Sequence, residues 1–225
     1  MKDQKNSAKP IIFSTPMVQA ILKGRKTMTR RVIKYKKEIT DPQIGWTTFT
    51  PDGMFSVRGI HSSGEFGESF FNMPYKKGDV LWVRETFAPI VIEDYAGDGK
   101  DKYTWFYRAD PDSDELLNNM EDCTWKPSIY MPRVACRIFL EITGVRIQKL
   151  QNIKSLDAIN EGIEPVKYIS ETGGPGYRGY KCYFKDNGFP MVDPVASFGS
   201  LWASINGIES WQANPWVWVI EFKKL

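Results

Sequence analysis

Short apolar strand segments, separated by long stretches rich in Gly, Ser and acidic residues, constrain this 225-residue chain more than any other feature. Ile11-Ile12-Phe13, Val80 to Glu85, Tyr103 to Arg108, Pro132 to Ile147 and Trp216 to Phe222 read as strands. Ile138, Leu140 and Ile142 alternate with Arg137, Phe139 and Glu141, which puts one apolar set on one face. The helices are short. Ser14-Thr15 can cap one, with Pro16 at its first position, Val18, Ile21 and Leu22 as its stripe and Gly24 as its stop. Ser155 can cap a second, running from Leu156 to Glu161 and closed by Gly162. Asp193-Pro194 opens a third, with Val195, Phe198, Leu201, Trp202 and Ile205 on one face and Asn206-Gly207 at its end. Strand and helix never alternate regularly, and no internal repeat of about 20–50 residues occurs. The expected class is α+β, a small mixed or mostly antiparallel β-barrel with short flanking helices. Residues 10–225 read as one domain interrupted by insertions at 38–75, 86–125 and 164–192, behind a polar tail at 1–9.

Hydrophobic residues make up 42% of the chain and aromatics 14%, which excludes intrinsic disorder. No apolar run reaches the roughly 18 residues of a membrane span, and Met1 to Lys5 leads into no apolar signal region. A cytoplasmic protein without a membrane partner is the expectation. The three cysteines, Cys123, Cys136 and Cys182, form no CxxC pair, unlike a zinc site or a secreted disulfide scaffold. The single histidine, His61, falls in Gly59-Ile60-His61-Ser62-Ser63-Gly64, which reads as a surface loop. No GxSxG elbow, phosphate-binding loop or dinucleotide fingerprint is present. Neither a metal nor a cofactor is expected.

Charge is uneven. Eight of the 30 basic residues lie between Lys23 and Lys37, with no acid among them. The other 22 face 27 acids, so a chain of net charge +3 has a body of net −5. These bases are interleaved with Thr27, Met28, Thr29, Val32 and Ile33, as in a strand from Arg25 to Ile33 rather than a basic tail. Such a cluster attracts an anionic partner such as nucleic acid. Trp82, Trp202, Trp216 and Trp218 fit core patterns. Trp46, Trp105, Trp125 and Trp211 lie in or beside the insertions, where an aromatic ring either packs a local core or stacks on a base.

The segment Ile21-Leu22-Lys23-Gly24-Arg25-Lys26-Thr27-Met28-Thr29-Arg30-Arg31 resembles the ILxGxKTxTxR motif of ASCH-domain proteins, relatives of the PUA RNA-binding domain. Lys77-Gly78-Asp79-Val80-Leu81-Trp82-Val83 is similar to the family's KxGDxLxV turn and strand. Val134 to Gln148 resembles its middle strand, Leu156 to Gly162 its short helix ending in Glu, and Val217 to Lys223 its last strand. These blocks cover about a third of the chain, in order. The chain also resembles larger members encoded by phages, through Ser128 to Arg133 and Asn214 to Val219. The resemblance implies a PUA-like pseudo-barrel with a cleft between the first helix, the KTxTxR strand and the Glu-bearing helix. It implies RNA or a modified nucleoside as partner, and in some members hydrolysis of the N4-acetylcytidine amide. By position it assigns Lys26, Thr29 and Glu161 to catalysis. Arg25, Arg30 and Arg31 are the expected substrate-binding residues, and Arg30 stands where the small amidohydrolases carry an apolar residue. Alternatives are a non-catalytic RNA-binding module, a metal-independent ribonuclease, and a phage protein that binds a host protein through the insertions.

The residue types suit amide hydrolysis. Thr29 offers a hydroxyl that needs a base to activate it. Lys26 is that base if burial and the neighbouring arginines lower its pKa. In a strand, positions three apart point to opposite faces, so Lys26 and Thr29 converge only through an irregularity. Glu161 can hold the cytosine amide or pass a proton to the leaving amine; as a helix-end acid it opposes the helix dipole.

Overall fold

A computed structural model describes residues 7–34, 39–43, 54–61, 66–92, 102–120, 123–168, 177–184 and 189–225. Its centre is a five-stranded mixed sheet. β1 (Lys9–Ile12) runs parallel to β6 (Val80–Arg84). β6 pairs antiparallel with β9 (Phe139–Lys149), β9 with β12 (Trp216–Lys224), and β12 with β2 (Met28–Val32). The α+β class and the mixed sheet are as expected. Among the described residues the sheet is open, with β1 and β2 as outer strands, and does not close into a barrel.

Each face of the sheet carries its own core because alternate residues of β12 point to opposite sides. Trp218, Ile220 and Phe222 join Leu81, Leu140 and Ile142 beneath α1 (Thr15–Leu22), which adds Val18 and Ile21. Val217 and Val219 join Met28 and Leu150 beneath α4 (Pro194–Asn206), which adds Phe198 and Trp202. Fully burying such a side chain contributes roughly 1.5–3 kcal/mol, so α1 and α4 are held by their apolar stripes. Asp193 caps α4, accepting from the N–H groups of Val195 and Ala196. Between Glu221 and Phe222 the β9 register slips past Thr143, a bulge beside Gly144. A Cβ at Gly144 would stand 2.8 Å from Glu221 Oε2, so this glycine leaves room for the glutamate side chain.

Each proposed insertion contributes an antiparallel piece of its own. Residues 38–75 hold β3 (Ile39–Gln43), β4 (Met54–His61) and β5 (Phe66–Asn72). Residues 86–125 hold the hairpin of β7 (Phe87–Ile92) and β8 (Lys102–Tyr107), then α2 (Ser113–Asn118). Residues 164–192 hold β10 (Pro165–Tyr168) and β11 (Tyr177–Tyr180). The main body also carries the short helices α3 (Ser155–Asn160) and α5 (Ile208–Gln212), the latter following α4 directly.

Several local expectations shift. His61 with Gly59 and Ile60 ends strand β4 instead of lying in a loop, because pairing with β3 and β5 carries the strand through them. The strand expected from Pro132 starts at Phe139, since Arg133–Ala135 is a 3-10 turn. Trp82, Trp202 and Trp218 are buried. Trp211 packs edge-on against Phe198, and Trp125 donates its indole N–H to Asp114. Trp46 and residues 1–6 of the tail lie outside the described residues. Among those described, no helix is long and apolar enough to cross a membrane.

Candidate active site

Three backbone segments converge at the open edge of β2. After α1, Gly24 takes a left-handed φ of +71° and the chain reverses; the N–H groups of Arg25 and Lys26 both donate to the Ala20 carbonyl. Lys26 then pairs with Glu161 in an isolated antiparallel bridge before β2 begins, and Thr27 N–H donates to Asn160 O. The strand expected from Arg25 therefore starts at Met28, and Lys26 sits in the irregular approach to it. Glu161 ends α3 and is followed by Gly162 at φ +90°. A Cβ there would lie 2.8 Å from Lys26 Cβ and 3.0 Å from Ala20 Cβ, so only glycine allows this approach.

The Glu161 carboxylate straddles the strand edge. Its Oε2 accepts from Lys26 Nζ at 2.8 Å, and its Oε1 from Arg30 Nη1 at 2.9 Å. Lys26 lies over the Phe13 ring on the α1 side, and Arg30 over the Phe198 ring on the α4 side. Lys26 is 2% exposed, Thr29 2%, Arg30 4% and Glu161 5%. Lys26 directs its remaining protons to the carbonyls of Met28, at 2.8 Å, and Glu161, at 2.9 Å. All three ammonium protons thus have acceptors, none of them on Thr29.

Burial lowers the Lys26 pKa from its ordinary 10.5; Glu161 opposes this and Arg31 and Arg30 add to it. The cationic neighbours act in the direction the sequence suggests, but desolvation is the larger cause.

The ion pairs continue outward. Arg30 Nη2 reaches Asp157 Oδ2 at 2.9 Å; Arg146 Nη2 reaches the same oxygen at 2.7 Å, and its Nη1 pairs with Glu221. The chain Lys26–Glu161–Arg30–Asp157–Arg146–Glu221 alternates in sign from a buried ammonium to a part-exposed carboxylate. Arg30 Nε is buried without a partner among the described groups.

Glu161 lines two hollows. The smaller, about 90 Å³, is shared with Thr29, Arg30, Arg31 and the α4 residues Phe198, Leu201 and Ile205. The larger, about 310 Å³, lies between α1, Gly162 and α4 and includes Arg25, Lys23, Lys181 and Tyr183. Lys26 and Glu161 are in contact; Thr29 shares a hollow with Glu161, while Lys26 reaches the site only through that carboxylate. Arg25 donates to the carbonyls of Gly162 and Ile163 and faces the larger hollow. Arg31 donates to Ile12 O and lies over Phe13. Among the described residues no group of His, Cys, Asp or Glu is placed to hold a metal ion.

Asp157, Arg146, Glu221 and Tyr183 escaped the sequence reading. Asp157 stands four residues before Glu161, one helical turn away, and that spacing was a usable signal. Arg146 and Glu221 meet only because β9 and β12 set Arg146 opposite Val219 and Gly144 opposite Glu221. Comparison of the chain with protein families, with curated proteins and with solved structures gives no match.

Proposed function

We propose that this protein binds RNA or a modified nucleoside in the cleft beside Glu161 and hydrolyses the amide of N4-acylated cytidine, as an ASCH-type protein of the PUA-like group acting in the cytoplasm. The observation that carries this reading is the buried Lys26–Glu161 pair, at 2.8 Å, on a carboxylate that faces both hollows. The meeting of α1, β2 and the Glu-bearing helix α3 at one cleft supports the PUA-like part of it. The larger hollow has the volume of a small-ligand site. The smaller, beside Thr29, has room for only a few heavy atoms, which suits an acyl group.

In this mechanism the base sits in the larger hollow and its acyl group points past Glu161 toward Thr29. Lys26 holds the Glu161 carboxylate in place across their hydrogen bond. Because Lys26 reaches the site only through Glu161, it is the Glu161 carboxylate that removes the Thr29 proton as Oγ1 attacks the acyl carbon. The C–N bond breaks and the cytosine N4 leaves, taking a proton from Glu161. Water then hydrolyses the Thr29 ester to the carboxylic acid. Arg30 holds the other oxygen of Glu161 and so fixes the carboxylate between the two hollows.

The test is incubation of the full chain with N4-acetylcytidine, with cytidine release followed by chromatography. Release that disappears in Thr29→Val and in Lys26→Met supports the reading, and absence of release from the folded wild type overturns the hydrolase. A second reading has its own observation. Every Lys26 proton is already committed to an acceptor other than Thr29. A cluster so completely satisfied also suits a rigid, non-catalytic cleft, for which cytidine or RNA binds without turnover.

A further inference from the structure

The positive charge that the sequence concentrates at residues 23–37 does not all reach the cleft. Arg30 has a side chain with no exposure and spends its guanidinium on Glu161 and Asp157. Arg31 spends its own on Ile12 O and the Phe13 ring. Neither guanidinium lines the larger hollow.

Three other cations line the larger hollow. Arg25 is held by two carbonyls, Gly162 O at 3.0 Å and Ile163 O at 3.3 Å, which fix the guanidinium without neutralising it. Lys23 sits at the C-terminal end of α1, and Lys181 comes from the segment after β11. Among the described residues no carboxylate lies within ion-pair distance of Lys23 or Arg25. Lys181 has only a long pair with Glu164, 3.4 Å apart, with both side chains about half exposed, a contact of little energetic weight. The other carboxylate of the hollow, Glu161, is already matched by Lys26 and Arg30. The hollow therefore has a satisfied carboxylate on its floor and uncompensated positive charge at its rim.

Tyr183 stands beside that rim. Its hydroxyl oxygen accepts from Glu164 N–H at 3.0 Å, and burial raises its pKa, so it keeps its proton and remains a donor at neutral pH.

We infer that the ligand of this cleft carries a phosphate on its sugar, bound by Lys23, Arg25 and Lys181, while the base lies inward against Glu161. This rests on the nucleoside reading for the base but not for the anion. A charged hydrogen bond contributes about 1.5–3 kcal/mol, so losing the phosphate contacts weakens binding about tenfold or more.

The experiment is titration calorimetry on the full chain with cytidine, cytidine 5′-monophosphate, inorganic phosphate and a short oligoribonucleotide, at low and high salt. The expected result is that the monophosphate binds at least about tenfold more tightly than cytidine. That ratio should collapse toward one in a Lys23→Ala/Lys181→Ala double variant, whose two side chains are exposed and not needed for folding. Equal affinities for cytidine and its monophosphate, or a ratio that survives in the double variant, overturn the inference. Binding of inorganic phosphate but not of either cytidine compound, lost in the double variant, keeps the anion rim and overturns the nucleoside reading instead. Tighter, Lys23- and Lys181-dependent binding of the oligoribonucleotide than of the monophosphate supports the phosphate site with an RNA as its source. No binding of any of the four overturns both.

Discussion

Among the described residues two glutamates, Glu85 and Glu161, are buried against arginines, and they do different work. Glu85 is 1% exposed and takes both nitrogens of one partner, Arg137 Nε and Nη2, each at 3.0 Å. Arg137 also pairs with Asp110 and lies over the Tyr107 ring at 3.9 Å. Glu161 divides its oxygens between two different cations and opens onto two hollows. A carboxylate closed off by one guanidinium is a structural clamp. A carboxylate shared between a lysine and an arginine beside two hollows is placed to meet a ligand. Burial acts on both sites, raising the pKa of Glu85 and lowering that of Lys26. At the second site the buried ammonium is joined to a carboxylate that lines two hollows.

The sharpest way to break this contrast is by turnover. Thr29→Val and Lys26→Met should each reduce cytidine release from N4-acetylcytidine on the order of 10³-fold or more. Glu85→Gln should leave the rate per folded molecule unchanged, measured after normalising for folded protein by near-UV circular dichroism. A loss of turnover in the Glu85 variant would erase the distinction between clamp and site.

Stability should show the reverse ranking. Arg137→Ala strands the Glu85 carboxylate and should cost about 3 kcal/mol in urea unfolding, near the lower end for a broken buried pair because Arg137 is 27% exposed. A cost below about 1 kcal/mol would mean that Glu85 simply protonates and the clamp contributes little.

Gly162→Ala tests the convergence of segments at the site. It combines a φ of +90° with a 2.8 Å approach to Lys26 Cβ. Roughly 1–3 kcal/mol of destabilisation is expected, with a fall in turnover larger than that of an equally destabilising change in the β7–β8 hairpin.

The smallest effect is in pH dependence, where the two sites have opposite slopes. Folded protein holds the Glu85 proton above the ordinary pKa of 4.5, so this contribution is full below 4.5 and is lost as pH rises through the raised value. Folded protein releases the Lys26 proton below the ordinary 10.5, so the unfolded chain binds more protons in that window and stability rises with pH up to 10.5. Urea midpoints across pH should lose the acid-side slope in Glu85→Gln and the alkaline-side slope in Lys26→Met. Loss of both slopes in either variant would show that the two sites titrate together.

Much of the molecule was legible before any coordinates. The stripe of α1, the Asp193 cap and apolar face of α4, the Ser155-to-Gly162 helix region and the terminal strand all follow from contacts within a few residues. The apolar alternation Ile138, Leu140 and Ile142 ends in three buried side chains. Lys26 and Glu161, 135 residues apart, were chosen by motif resemblance, and they meet in a hydrogen bond.

What the sequence determined by itself was periodicity, capping and the place of the basic cluster, because each is a property of neighbours along the chain. Tertiary structure decided which of those charges turn inward. Arg30 is drawn from the expected anion-binding surface into the α4 core because Glu161 and Asp157 approach it from one side of α3. Arg146 and Glu221 join them only through the register of β9 on β12, which no local pattern encodes. Charges interact through space, and strand order sets the space between them.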